Sequence, residues 1–217
     1  LDALQPGTRV LEIEGRRRFD YESTYFDTPD LLSYRLAAHN RRRRFKVRSR
    51  AYLDSDLAFL EVKTRGRRQE TIKERMGYAA AHRHHLTAPA REYTEEHLRP
   101  LSLRPLVADE LAPVLRTSYA RMTLVPPGGG LRVTVDTDLR WQDPHGRDLA
   151  LSDLVILETK SGAQASQVDR ALWRRGHRPA GVSKYATGLA ALRTDLPANK
   201  WSRVLRHHFN TDPRSPR

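Results

Sequence analysis

Cysteine is missing altogether, so the chain can build no disulfide framework, no thiolate nucleophile and no cysteine-ligated zinc site. Long apolar runs are missing too. None approaches the length of a membrane span, and the opening residues L-D-A-L-Q-P do not read as a signal peptide. These absences make a soluble, cytoplasmic protein the expectation. The first residue is Leu1 rather than methionine, which fits a fragment or a processed product. Acidic residues are the other shortage: 26 Asp+Glu face 39 Lys+Arg, a formal charge of +13. The expected partner is therefore an anion, whether nucleic acid, an acidic membrane surface or a polyvalent phosphate.

What is present suits one globular domain. The 217 residues can bury a sizeable core, and 38% hydrophobic content is ordinary. Alternating segments recur along the chain. Residues 9–14 and 21–26 read as strands around a turn at Gly15, and helical spacing follows over 29–39. Strands are expected over 44–52, 57–64 and 70–75, joined by short turns, which makes a meander. Residues 77–113 carry helical spacing broken by Pro89, Pro100, Pro105 and Pro113, as expected of short helices outside a sheet. Strand pattern resumes over 117–125 and 131–139, then over 154–160, and Ala165, Val168, Ala171 and Leu172 form the apolar stripe of a helix ending near Gly176. A domain over 1–200 and a disordered tail over 201–217 are the expectation.

The stretch R-R-F-K-V-R-S-R-A-Y at 43–52 sets the functional question. Arg44, Lys46, Arg48 and Arg50 recur with period two, which puts all four on one face of a strand. The same split recurs elsewhere. Glu61 and Lys63 share a face, as do Lys73 and Arg75, Arg121 and Thr123, Arg132, Thr134 and Asp136, and Glu158 and Lys160, each opposite an apolar face. For one strand, a solvated face is the ordinary explanation. Over about eight strands the pattern suits a closed barrel with charges inside and helices covering its apolar exterior. Inward cations are costly unless an anion neutralises them, and phosphate does so through charge-assisted hydrogen bonds. The interspersed carboxylates suit a hard divalent metal that bridges phosphate oxygens. Little aromatic character is interleaved with these rows, which argues against a single-strand nucleic-acid binder.

Seven stretches taken in order carry a resemblance: Y-E-S-T-Y-F-D-T-P-D-L-L-S-Y (21–34), R-F-K-V-R-S-R-A-Y (44–52), F-L-E-V-K-T-R (59–65), I-K-E-R-M (72–76), L-R-V-T-V-D-T-D-L (131–139), I-L-E-T-K-S (156–161) and G-V-S-K-Y-A-T-G (181–188). Together they resemble the VTC domain, the polyphosphate polymerase domain of the triphosphate tunnel metalloenzyme (CYTH-like) superfamily, over roughly 9–193. The resemblance implies an α+β fold, a closed antiparallel β-barrel with peripheral helices, in which the terminal phosphoryl group of ATP passes to a growing polyphosphate chain. It implies catalytic roles for Arg48, Arg50, Lys63, Arg121 and Arg132. Arg44, Lys46, Lys73, Arg75, Lys160 and Lys184 are implied to bind substrate, and Glu158 and Glu61 to hold Mn²⁺ or Mg²⁺. Family members usually begin with a strand bearing a Glu and a Lys, and this chain starts after that place, so the domain is expected to lack its first strand.

Two alternatives stay open: a triphosphatase of the same fold, with water as acceptor, and a non-catalytic polyphosphate or nucleic-acid binder. Tyr25 and Asp27 read as structural, and His82, His84 and His85 as a solvated cluster rather than metal ligands.

Overall fold

The computed structural model describes residues 6–66, 70–104, 107–128, 130–160, 162 and 164–209. Among these, in chain order, lie β1 (Arg9–Val10), β2 (Phe19–Asp27), α1 (Leu32–Ala38), β3 (Phe45–Tyr52), β4 (Leu57–Arg65), β5 (Thr71–Tyr78), α2 (Ala88–Leu98), α3 (Val107–Glu110), β6 (Ala112–Val125), β7 (Arg132–Gln142), β8 (Asp148–Leu151), β9 (Ile156–Lys160), α4 (Gln167–Arg174), α5 (Lys184–Leu192) and α6 (Ser202–His208). The fold is α+β. All strand pairs are antiparallel, in the order β5-β4-β3-β2-β6-β7-β8, with β1 on β6 and β9 on β7. The β3–β4–β5 meander and the β6–β7 hairpin form where their alternation and turn residues predict them.

The closed barrel is not found: no hydrogen bonds among the described residues join β5 to β8 or β9. The reason lies in β7. One flank takes β6, and the other is divided between β8, paired with residues 139–142, and β9, paired with residues 132–136. Neither short strand offers β5 a continuous partner. Two further differences concern the N-terminal segment and β8. Residues 9–14 do not form a hairpin with β2; Arg9 and Val10 pair with β6 instead, and the chain then folds back through a bridge between Ile13 and Arg16. Strand β8, only four residues long, lacks enough alternation to be seen in the sequence.

The sheet's two faces are chemically distinct. On the apolar face Phe26, Phe45, Val47, Leu60 and Val62 pack against Ala90 and Leu98 of α2, Val107 of α3 and Leu111. Farther along, Leu124 and Val133 meet Val168 of α4. Burying each such side chain contributes about 1.5–3 kcal/mol, which is what the alternation is for. The charged face is roofed at one end: Tyr25, Leu115, Leu139 and Trp141 pack against Tyr185, Ala186 and Leu189 of α5 and against Leu205 and Phe209 at the chain's end. Trp201, Leu205 and Phe209 are at most 4% exposed, so residues 201–209, expected in a disordered tail, belong to the core. Their apolar spacing is overshadowed by neighbouring Arg and His. The rest of that tail lies outside the described residues.

Two backbone features set the roof. Gly188 of α5 lies against Trp141, where a Cβ would come within 2.1 Å of the indole, so only glycine lets the helix sit there. The indole Nε1 then donates to the Lys184 carbonyl at 2.7 Å. In β7 the register against β6 shifts near Asp138, which takes a left-handed φ of 53°. That bulge changes the alternation, so Trp141 on one side of it and Asp136 on the other both face the charged side.

Candidate functional site

The strand registers assemble the charged face row by row. Lys46 lies opposite Lys63, which lies opposite Lys73; Arg48 lies opposite Glu61, which lies opposite Arg75. On the other flank Arg121 is opposite Asp136, Thr134 is opposite Glu158, and Arg132 is opposite Lys160. Directly paired residues share a face, so these side chains all project on the same side. From α5, Lys184 reaches down to Asp136.

Two carboxylates organise the buried part. Glu61 is 2% exposed; its Oε2 accepts from Arg48 Nε at 2.7 Å, and its Oε1 pairs with Lys73 Nζ at 2.5 Å. Asp136 is fully buried and accepts two bonds from Arg121, at 2.6 and 2.8 Å, as well as the Lys184 ammonium. Cations outnumber carboxylates all the same. Among the described residues neither Lys63 nor Lys46 makes an ion pair; Lys46 meets the Ser183 hydroxyl at 3.0 Å and the Tyr185 ring at 6.0 Å. Arg50 lies over the Tyr21 ring at 5.7 Å, and Arg75 over Phe59 at 4.9 Å.

Proton affinities register this excess. Burial, with Arg48 beside it, pushes the Lys63 ammonium down to about 7. Burial alone would raise the Tyr25 phenol, yet Arg48, Lys46 and Arg50 bring it down to about 8, and its hydroxyl accepts from Arg48 at 3.1 Å. Burial opposes ionisation of Glu61, but Arg48, Arg50 and Lys73 hold it well below the usual carboxylate range.

Not every expected residue joins the buried set. Arg44 immediately precedes β3, and its guanidinium is held by Asn40 Oδ1 and the Arg41 carbonyl, so it does not continue the row of Lys46, Arg48 and Arg50. Glu61, expected as a metal ligand, is held by Arg48 and Lys73 instead. Lys73, Arg75, Arg132, Glu158 and Lys160 lie exposed on or beside the sheet's edges, Lys73 reaching the buried Glu61 from there and Glu158 lying 3.8 Å from Lys160. Asp27, buried at the end of β2, ties that strand to α1 and α5. It accepts from the backbone N–H of Thr28, Ser33 and Tyr34 at the start of α1 and from the Tyr185 hydroxyl. His84 contacts Thr24 and Glu22 away from the charged face.

A family model described as the VTC domain matches residues 2–193. The chain belongs to the VTC domain family. No curated protein matches the chain. Among solved structures, a candidate adenylate cyclase from Bacillus halodurans superposes with a TM-score of 0.44 at 11% identity, over 97% of this chain and 91% of its own. Two Pyrococcus horikoshii proteins, PH1012 and PH1819, give TM-scores of 0.38 and 0.37 at 10% and 11% identity, covering 78% and 81% of this chain and 75% and 78% of theirs. Nothing functional follows from likenesses this distant.

Does this VTC domain fit a metal? Among the described residues no group of three His, Asp or Glu converges. Glu61 and Asp136 already neutralise buried cations, so a cation caged by protein alone does not fit. A cation carried in on phosphate oxygens needs only one or two protein carboxylates, and the exposed Glu158 fits that role.

The VTC domain's charged face also holds residues that cation patterning does not single out. Tyr21 stacks on Tyr119 with centroids 5.4 Å apart, and Arg121 reaches over both rings. Ser23 and Thr117 are buried between the two carboxylate clusters. A single Ser or Thr in an alternating strand gives no sequence signal of its own.

Proposed function

We propose that the charged face binds the phosphates of ATP and of a polyphosphate chain, and that the domain transfers the terminal phosphoryl group of ATP to that chain. One observation carries the reading: on one face of the sheet, buried cations exceed carboxylates so far that both an ammonium, Lys63, and a fully buried phenol, Tyr25, are pushed to lower proton affinity. An ammonium shifts down by burial alone, but a buried phenol does so only under positive potential. A polyanion relieves both.

Transfer of this kind asks mainly for positioning and for neutralisation of equatorial oxygen charge. A terminal oxygen of the chain attacks the γ-phosphorus, the bond from that phosphorus to its bridging oxygen breaks, and the electron pair leaves with ADP. Arg48 and Arg50 on β3 with Lys63 on β4 grip the phosphates from one side, and Arg121 and Lys184 from the other. Lys46 and Lys73 extend the grip at one end, and Arg75, Arg132 and Lys160 line the open edges. A divalent cation on the phosphates would lower their charge further, with Glu158 as its protein ligand.

The test is incubation with ATP and Mn²⁺ or Mg²⁺, resolving ADP, free phosphate and polymer. Polymer with ADP supports the transfer reaction; phosphate without polymer makes the protein a triphosphatase; no turnover with tight tripolyphosphate binding makes it a binder.

A further inference from the structure

Among the described residues, five buried side-chain polar atoms have no hydrogen-bond partner: Ser23 Oγ, Arg50 Nε, Thr117 Oγ1, Tyr119 OH and Thr134 Oγ1. The strand registers put all five on the charged face. Buried hydroxyls are nearly always paired, because leaving one unmade costs stability, so five orphans sharing one face mark a place built for something other than the sheet's own cohesion. Three of them form a single row across three strands. Arg50 of β3 is opposite Ser23 of β2, and Ser23 is opposite Thr117 of β6. Directly opposed residues have Cβ atoms about 5 Å apart, so Ser23 and Thr117 lie close enough to meet one phosphate group, with Arg50 next in the row. Ser23 and Thr117 are each 1% exposed.

We propose that Ser23 and Thr117 form a phosphate subsite, their hydroxyls donating to the oxygens of one phosphate group held between the Arg48–Glu61–Lys73 cluster and the Arg121–Asp136–Lys184 cluster. The inference rests on the phosphate reading above and adds the two residues that no charge pattern points to. Neutral donors suit the middle of this face. A further cation there would add repulsion to a surface already short of anions, whereas a hydroxyl brings a donor without charge. Long side chains surround the row: Arg50 lies over the Tyr21 ring, and Arg121 and Lys184 lie over the Tyr119 ring at 5.3 and 4.5 Å. Asp136 holds Arg121 and Lys184 in place, so a phosphate reaches the hydroxyls by drawing these two cations from that carboxylate onto its own oxygens.

The experiment compares the full chain with Ser23→Ala, Thr117→Val and Arg50→Ala by calorimetric titration with tripolyphosphate at low and high salt, alongside thermal melts of the free proteins. Each hydroxyl variant is expected to bind about tenfold more weakly. That factor stays the same at both salt concentrations because no charge is removed, while the Arg50→Ala loss shrinks as salt screens it. The free hydroxyl variants melt no lower than wild type, since an unpaired buried group is gone. Wild-type affinity in both variants overturns the inference and leaves the phosphate reading standing. A lower melting temperature in the free variants also overturns it, because the hydroxyls are then structural. Absence of tripolyphosphate binding by wild type overturns the phosphate reading and this inference together.

Discussion

Glu61 of β4 bridges the strands on either side of it, accepting from Arg48 of β3 at 2.7 Å through one oxygen and pairing with Lys73 of β5 at 2.5 Å through the other. Removing that charge leaves Arg48, 7% exposed, without its carboxylate. Glu61→Gln is expected to cost about 3 kcal/mol of stability in urea unfolding. Sign and pH window follow from the depressed carboxyl: its contribution is present above the unfolded value of about 4.3 and is lost as pH falls through the folded value. Wild type therefore shows an acid-side loss of stability that the variant lacks. An unchanged unfolding midpoint would mean the pair is energetically idle.

Lys63 gives a dependence of the same sign in an alkaline window. Its ammonium titrates at about 7 in the folded chain and at about 10.4 when unfolded, so between these values the unfolded chain holds more protons and stability rises with pH. Lys63→Met is expected to flatten that rise. Tripolyphosphate restores the ammonium's proton, so binding above neutrality takes up about one proton and weakens as pH climbs. Titration calorimetry in buffers of different ionisation enthalpy reads the proton directly, and no uptake by wild type would remove Lys63 from the phosphate face.

Asp136 joins β7 to Arg121 of β6 and to Lys184 at the start of α5. Asp136→Ala is expected to lower stability by about 3 kcal/mol, because two cations lose their buried partner. Saturating tripolyphosphate should recover part of the loss by supplying the missing anion. Melting curves with and without ligand test both statements.

Glu158 pairs with Lys160 at 3.8 Å in the open, and such exposed pairs are worth roughly 0–1 kcal/mol. Glu158→Gln is expected to leave the melting temperature nearly unchanged while divalent-dependent turnover falls steeply. Full turnover with unchanged metal dependence would make Glu158 a wall residue only.

Strand alternation determined which residues share a face, because neighbouring side chains on a strand point to opposite sides whatever the strand packs against. Lys46, Arg48 and Arg50 could thus be placed together from the sequence, as could Lys63 with Glu61 and Arg132 with Asp136, and so could the hairpins whose turns close over a few residues. Tertiary structure alone decided the rest. That β2 lies between β3 and β6, bringing Ser23 between Arg50 and Thr117, depends on contacts between segments far apart in the chain. Whether Glu61 meets a metal or two cations depends on which strands flank it. The bulge at Asp138 overrides local alternation, and the division of β7 between β8 and β9 leaves open a sheet whose strand count alone suggests closure. Period two is a property of a single strand, whereas register, burial and closure belong to the packing of strands against one another.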